Sequence, residues 1–339
     1  MDISIPYYED LSRISNSNIG WFLNKGPAYL HKMLTDPPPE EKNSTLERGT
    51  MIHEYILQPE EFQKDYVVWD KSRPFSVQQE KFCQELANTV ELEPNRAILS
   101  AYKEAYSTRG KSDDLMLSEG LKIASTLKDY IDFLKTNDSR KMISHSEYKM
   151  LEKIKHNIQS HKLAHSIINP KNNYTQHEFH INWEYEFKTF KSNKHLPENV
   201  INVVVKCKSL LDGLTINIDN KEVIIYDLKT TAKLWNFEDS MNQYDYGRQL
   251  AYYKCAVWWY LKHELNQDPN DFDFKYYIIG IDTTGSCEIR VFKVSEALIA
   301  ERDKTIFSAM LRISWHQMND KWDHSREYYE GDGSELLSL

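Results

Sequence analysis

Near residue 170 the hydrophobic period of this chain changes, and no other feature constrains its fold as much. Before that point apolar residues recur at helical spacing; after it they alternate or run in β-branched blocks. HEFHINWEYEF alternates as a half-buried strand does. NVINVVVKCKSLLDGL and KEVIIYDLKTT are blocks typical of buried strands, and the DNKE between them suits a turn. A helix is expected from about Met241 to Leu265. FKYYIIGID and CEIRVFKV follow as a strand pair joined by TTGS, then a helix from about Ser295 to Trp315 and an aromatic tail, WDHSREYYEGDG. This order predicts a mixed α/β (α+β) fold, a central mixed sheet flanked by helices with a helical N-terminal half.

In the first half, Asn16 or Ser17 is placed to cap a helix through Leu23, Gly26-Pro27 breaks it, and AYLHKML resumes. DPPPEEKNS reads as a loop and LERGTMIHEYIL as a helix ended by Pro59. Residues 76–91 and 119–135 are further helical candidates. Ser144 and Glu147 form a capping box for a helix expected to run through Ile168, before Pro170. The whole chain, 1–339, is read as one domain: a helical part, 1–170, carrying an insertion at 92–140, then a sheet core with its C-terminal helix, 171–339.

The formal net charge of −9 does not favour a protein that coats nucleic acid through a global basic field. It leaves room for a local basic groove around acidic metal ligands. The 21 Tyr and 8 Trp serve cores and base stacking alike, so they do not discriminate. Cys83, Cys207, Cys255 and Cys287 are scattered without a Cys-x-x-Cys pair, which argues against a zinc ribbon or disulfide framework and suits reduced thiols. No basic-then-apolar leader is visible and no stretch approaches the ~20 apolar residues of a membrane span. A cytoplasmic protein with no membrane role is expected.

The most informative segment is Val223–Lys229. Its first four residues are apolar or aromatic, and Asp227 and Lys229, two apart, point to the same side. Burying such charges is costly unless something uses them, although a solvated salt bridge at a strand end reads the same way. Asp212 ends the preceding strand, where Gly213 allows a sharp turn, so an antiparallel pair would bring Asp212 and Asp227 to one sheet end. Two carboxylates so close repel unless a cation lies between them; alone, Asp212 is equally a turn-capping aspartate. His53 sits on a helix one turn after Gly49, whose helix cost of about 1 kcal/mol suggests close approach of a backbone or ligand. Taken alone, His53 reads as a hydrogen-bonded core histidine, and Glu178 as an outward strand carboxylate. Tyr246, Gln249 and Tyr253 share a helix face, suited to a phosphate or the catalytic strand, or to ordinary core. Arg248 suits phosphate or solvent.

In order, SNSNIGWFLNKGPAYLHKML, ERGTMIHEYILQPEEF, HEFHINWEYEF, LLDGL, DLKTT and GRQLAYY together resemble the RecE-type and phage-type exonucleases of the PD-(D/E)XK superfamily. They are also similar to the nuclease domains of AddB-type helicase-nucleases. The matches span residues 10–255. Two departures stand out. Where the family often has Lys-x-Arg-x-Asp, KSLLD places Lys208 at the Lys position and Leu210 at the Arg position, leaving Lys206 or Arg248 to compensate. The dispersed cysteines do not fit the arrangement of relatives with an iron–sulfur cluster, so no cluster is expected.

The resemblance implies a restriction-endonuclease-like core and a 5′→3′ exonuclease acting on double-stranded DNA ends in phage-type recombination or repair. It implies one or two Mg²⁺ or Mn²⁺ ions held by His53, Asp212 and Asp227, with the Leu228 carbonyl as an extra ligand. Lys229 would position the attacking water, Glu178 would serve as an accessory ligand, and Gln249 and Tyr253 would orient Lys229 or the phosphate. Lys206, Lys208, Lys233 and Arg248 would neutralise the DNA backbone. A ring-forming homo-oligomer and a single-strand annealing partner are also implied. A structure- or single-strand-specific endonuclease, a non-catalytic DNA- or partner-binding module on this fold, and an RNA substrate remain alternatives.

Overall fold

The computed structural model describes residues 5–39, 43–89, 93–169, 174–190 and 200–335. The first and last residues of the loop DPPPEEKNS are described, but 40–42 lie outside these ranges, as do 92 of the expected insertion and 199 at the start of the second strand block. The chain divides into two compact units, Glu60–Met150 and the remainder, 1–59 with 151–339. The first of these begins well before the insertion expected at 92–140.

In the larger unit, α1 (Asn16–Thr35) is followed by α2 (Ser44–Leu57). Ser15, not Asn16 or Ser17, caps α1: its side chain accepts from the Asn18 N–H while Asn18 returns the bond to the Ser15 backbone. The break at Gly26 is real, at φ 83, a backbone conformation open to glycine. The strand series is β3 (Thr175–Phe190), β4 (Val200–Asn217), β5 (Glu222–Thr231), β6 (Asp273–Asp282) and β7 (Ile289–Val294), counting β1 and β2 in the smaller unit below. They form one sheet in that spatial order, antiparallel throughout except for the parallel β5–β6 pair. This is the expected mixed sheet with helices packed on it.

The helix expected from Met241 is two helices, α10 (Phe237–Gln243) and α11 (Tyr246–His263). Asp245 between them adopts φ 48, and its side chain caps α11 by accepting from the Arg248 N–H. Periodicity could not show this break, because the apolar spacing continues across it. Helix α11 packs on β3, β4 and β5, and α12 (Glu296–Asn319) on α11, α1 and β4. Buried Trp183, Cys207, Ile225, Leu250 and Tyr252 belong to the core between them. Tyr252 donates to the Ile14 carbonyl at 2.5 Å and the Trp183 indole to Ser209 at 3.0 Å, so the polar tips of both buried rings are satisfied. Among the described residues no helix is long and apolar enough to cross a membrane.

In the smaller unit β1 (Tyr66–Trp69) and β2 (Lys141–Ser144) pair in parallel. Helices α4 (Val77–Asn88), α5 (Pro94–Ala105), α6 (Asp113–Thr126) and α7 (Lys128–Lys135) surround a core that includes Phe82, Tyr102 and Met116. Four-residue strands carry too little pattern to be read ahead of the structure. The Ser144–Glu147 capping box is present in full. The helix it opens, α8 (His145–Ser160), stops short of Ile168, because His161 accepts from the Ala164 N–H and starts α9 (Lys162–Ile168).

Candidate metal centre

The site is built where the sheet forks. The ladder between β4 and β5 runs from Asn217–Glu222 to Gly213–Tyr226 and stops. Beyond it β4 continues with β3 and bridges Ile14 at Cys207, while β5 continues with β6. The Leu228 N–H thereby loses its partner on β4, and a buried amide needs one. The Asp212 carboxylate supplies it, accepting from Leu228 N at 2.7 Å. Asp212 therefore lies within a long strand rather than at its end, and it meets Asp227 across the fork as antiparallel pairing required.

Gly213 is not a turn. A Cβ there would lie 1.9 Å from Cζ of Tyr226, so the missing side chain makes room for that ring. The ring crosses Gly213 to reach β3, where the Tyr226 hydroxyl and His177 Nδ1 are hydrogen-bonded at 2.7 Å. Gly49 differs: a Cβ there would meet the Thr230 side chain at 3.4 Å, so the protein neighbour it faces is a side chain of β5 rather than a backbone.

Glu178 faces Asp212 across β3–β4, between the His177–Gly213 and Phe179–Leu211 pairs, and has φ 48. A left-handed glutamate inside a strand is strained, and such strain concentrates at functional sites. No periodicity marks it. From α2, His53 Nδ1 comes within 3.6 Å of Asp212 Oδ2. One donor atom from each of His53, Glu178 and Asp212 lies within 4.8 Å of the others.

Asp227 is 1% exposed, and among the described residues its carboxylate oxygens have no hydrogen-bond partner besides Lys229. Its compensation is ionic, from Lys229 Nζ at 2.5 Å. Burial and then Asp212 push the Asp227 carboxyl up to about 7, against the pull of Lys229. Burial, followed by Asp212, Asp227 and Glu54, pushes Glu178 up to about 8. Burial alone would lower Lys229, but Asp227 and Asp212 outweigh it and hold the ammonium above its ordinary range. The site thus crowds Glu178, Asp212 and Asp227 around Lys229, and carboxyls so close favour a bound cation between them.

Helix α11 presents its named face to this charge. Lys229 Nζ lies 4.9 Å from the centre of the Tyr246 ring. Gln249 donates to the Tyr253 hydroxyl at 2.8 Å, and burial with the nearby aspartates drives the Tyr253 phenol well above its ordinary range. The aromatic partner of Lys229 is therefore Tyr246; sequence spacing grouped these residues without showing which one touches the lysine.

Two of the four residues expected on DNA are structural. Lys208 is buried and donates to the carbonyls of Tyr7 and Asp10, both at 2.5 Å. Arg248 is buried, donates to Asn16 Oδ1 at 3.0 Å, and fills space left by Gly20. Neither can neutralise a phosphate or stand in for an arginine at Leu210. Each ties α1 or its leading segment to the core, a long-range demand invisible in local sequence. Lys206 and Lys233 are exposed.

The donor set fits a hard divalent cation: carboxylates and an imidazole, with a buried aspartate short of partners beside them. No family model matches the chain, and no curated protein matches it in sequence. Among solved structures it is similar to a crystal structure of a protein from Eubacterium rectale that carries the provisional name of an exonuclease, with 11% identity and a TM-score of 0.44, over 100% of this chain and 96% of that one. A likeness of this degree carries neither fold nor activity across, so the chemistry rests on the geometry at the fork.

Proposed function

We propose that this chain is a metal-dependent deoxyribonuclease of the PD-(D/E)XK class. The observation that carries the reading is the meeting of His53, Glu178 and Asp212 beside the ion-paired, otherwise unpartnered Asp227. His53, Asp212 and Asp227 would hold one or two Mg²⁺ or Mn²⁺ ions, with the Leu228 carbonyl as a further ligand. When bound, such a cation polarises a phosphodiester and acidifies water. Lys229, fixed between Asp227 and the Tyr246 ring, orients that water and offsets phosphate charge. Glu178, whose carboxyl is raised by burial and its acidic neighbours, would support these ligands or bind the cation transiently. Gln249 and Tyr253 would orient Lys229 or the phosphate. Lys206 and Lys233 contact the DNA backbone, which a sequence-blind enzyme needs more than base contacts.

The finer reading is a 5′→3′ exonuclease on double-stranded ends, in phage-type recombination or repair, with a ring-forming homo-oligomer and a single-strand annealing partner, in the cytoplasm. Calorimetric titration with Mg²⁺ or Mn²⁺ tests the centre, and degradation of an end-labelled linear duplex tests the reaction. Asp212→Ala should abolish metal binding, and Asp227→Ala and Lys229→Ala should each abolish degradation. Wild-type degradation by both of the last two variants would end the proposal.

A further inference from the structure

Beside the fork, four aromatic rings form a ladder that starts in the core and ends in solvent. Phe292 of β7 stacks on Phe237 at 4.6 Å, Phe237 on Tyr246 at 6.0 Å, and Tyr246 on Tyr244 at 5.7 Å, with interplanar angles of 10°, 27° and 21°. Phe237 is buried, whereas Tyr244 is 57% exposed. The third ring of this ladder, Tyr246, carries the Lys229 ammonium on its face. The exposed end therefore lies two ring contacts from the lysine of the candidate centre. The same connecting segment, between β5 and α11, also exposes Trp235, at 72%.

Tyr244 is held firmly. The next residue, Asp245, caps α11 and pairs with Arg302 Nε at 2.6 Å, so the turn that presents the ring is pinned to α12. A rigid, flat, exposed ring at the end of a near-parallel stack offers one more stacking position. A nucleobase fits it, because every base has a π-face.

We propose that the open face of Tyr244 is a stacking platform for an unpaired DNA nucleobase, extending the ladder and leading its strand toward Lys229. The inference deepens the nuclease reading and rests on it for the substrate class. A base in a closed duplex hides its face, so the strand entering this site is single or frayed at the end.

The experiment compares two fluorescently labelled probes of equal length, oligothymidylate and an abasic deoxyribose-phosphate strand, by anisotropy in Ca²⁺. Tyr244→Ala should weaken oligothymidylate binding by about 10- to 100-fold and leave the abasic strand unchanged. Tyr244→Phe should bind as wild type does. Equal binding by wild type and Tyr244→Ala, or an equal loss on both strands, would overturn the platform. So would failure of the wild type to bind either strand, which would leave the ring to a partner other than nucleic acid. Hydrolysis of bis(p-nitrophenyl) phosphate with Mn²⁺ reads the nuclease assignment separately. A wild type inert toward the ester, with a base-dependent loss of binding in Tyr244→Ala, would sink the nuclease reading while keeping the platform.

Discussion

Replacing Glu178 by Gln should make the metal-free protein more stable and the metal-loaded one weaker. The side chain keeps its size and its left-handed backbone but loses the charge that Asp212, Asp227 and Glu54 oppose. The carboxyl moves from an ordinary 4.5 to about 8, so the folded state binds this proton more tightly than the unfolded chain does. Below pH 4.5 both states hold the proton and the group costs nothing. Between there and pH 8 the unfolded chain releases it first, and folding loses about 1.4 kcal/mol per pH unit. The ceiling at pH 7 is therefore about 3 kcal/mol; screening by water at the half-buried edge of the site reduces this to about 1–3 kcal/mol. Urea denaturation in EDTA at pH 4, 6, 7 and 8 reads it directly. Glu178→Gln should match wild type at pH 4 and exceed it increasingly to pH 8. In saturating Mn²⁺ at pH 6 the order should reverse, because wild type gains about 2.7 kcal/mol at a hundredfold excess over Kd, more than the roughly 2 kcal/mol the proton costs there, and the variant gains little. Equal or lower stability of the variant at pH 8 without metal would refute the crowded-carboxylate account.

Gly213→Ala should cost about 2–4 kcal/mol, since its methyl displaces the Tyr226 ring and breaks the bond to His177; Tyr226→Phe should lose about 1 kcal/mol, and a Gly213→Ala change within about 0.5 kcal/mol would sink the ring-over-glycine packing. Lys208→Met should lower the melting temperature by freeing the Tyr7 and Asp10 carbonyls while leaving the salt dependence of DNA binding unchanged; Lys206→Ala should reduce that slope by about 0.9, and the opposite pattern would restore Lys208 to the DNA surface. Burial opposes ionisation of Asp282, but hydrogen bonds from Ser286, Thr284 and Cys287 outweigh it and hold its pKa below the ordinary 3.8. Its contribution is thus complete above pH 3.8 and lost as pH falls through the lower, folded value, so Asp282→Asn should flatten acid unfolding in that window, as followed by circular dichroism. With Mg²⁺, linear duplex should be degraded and closed circular duplex spared; equal attack on linear, nicked and closed circles would favour an endonuclease.

The parts of the fold legible in the sequence were those with a strong local period. The strands in HEFHINWEYEF, NVINVVVKCKSLLDGL and KEVIIYDLKTT, the Ser144–Glu147 capping box and the break at Gly26 all follow from spacing or from a single residue's backbone preference, although the second strand runs past Asp212 to Asn217. Where local pattern is weak or continues through a boundary, the reading slipped. The helix over 241–265 conceals the cap at Asp245, and four-residue β1 and β2 carry no usable alternation. The basic residues divided for a different reason. Lys208 and Lys206 look alike in the chain, but Lys208 is drawn inward by carbonyls about two hundred residues away.

Sequence by itself determined that Asp227 and Lys229 leave one strand on the same side, because a strand's period is two whatever surrounds it. Tertiary structure alone decided that residues 53, 178 and 212 should converge beside them. That meeting depends on where β4 parts from β5, on a left-handed turn at Glu178 and on how α2 docks, all set by long-range packing that no short window of residues contains.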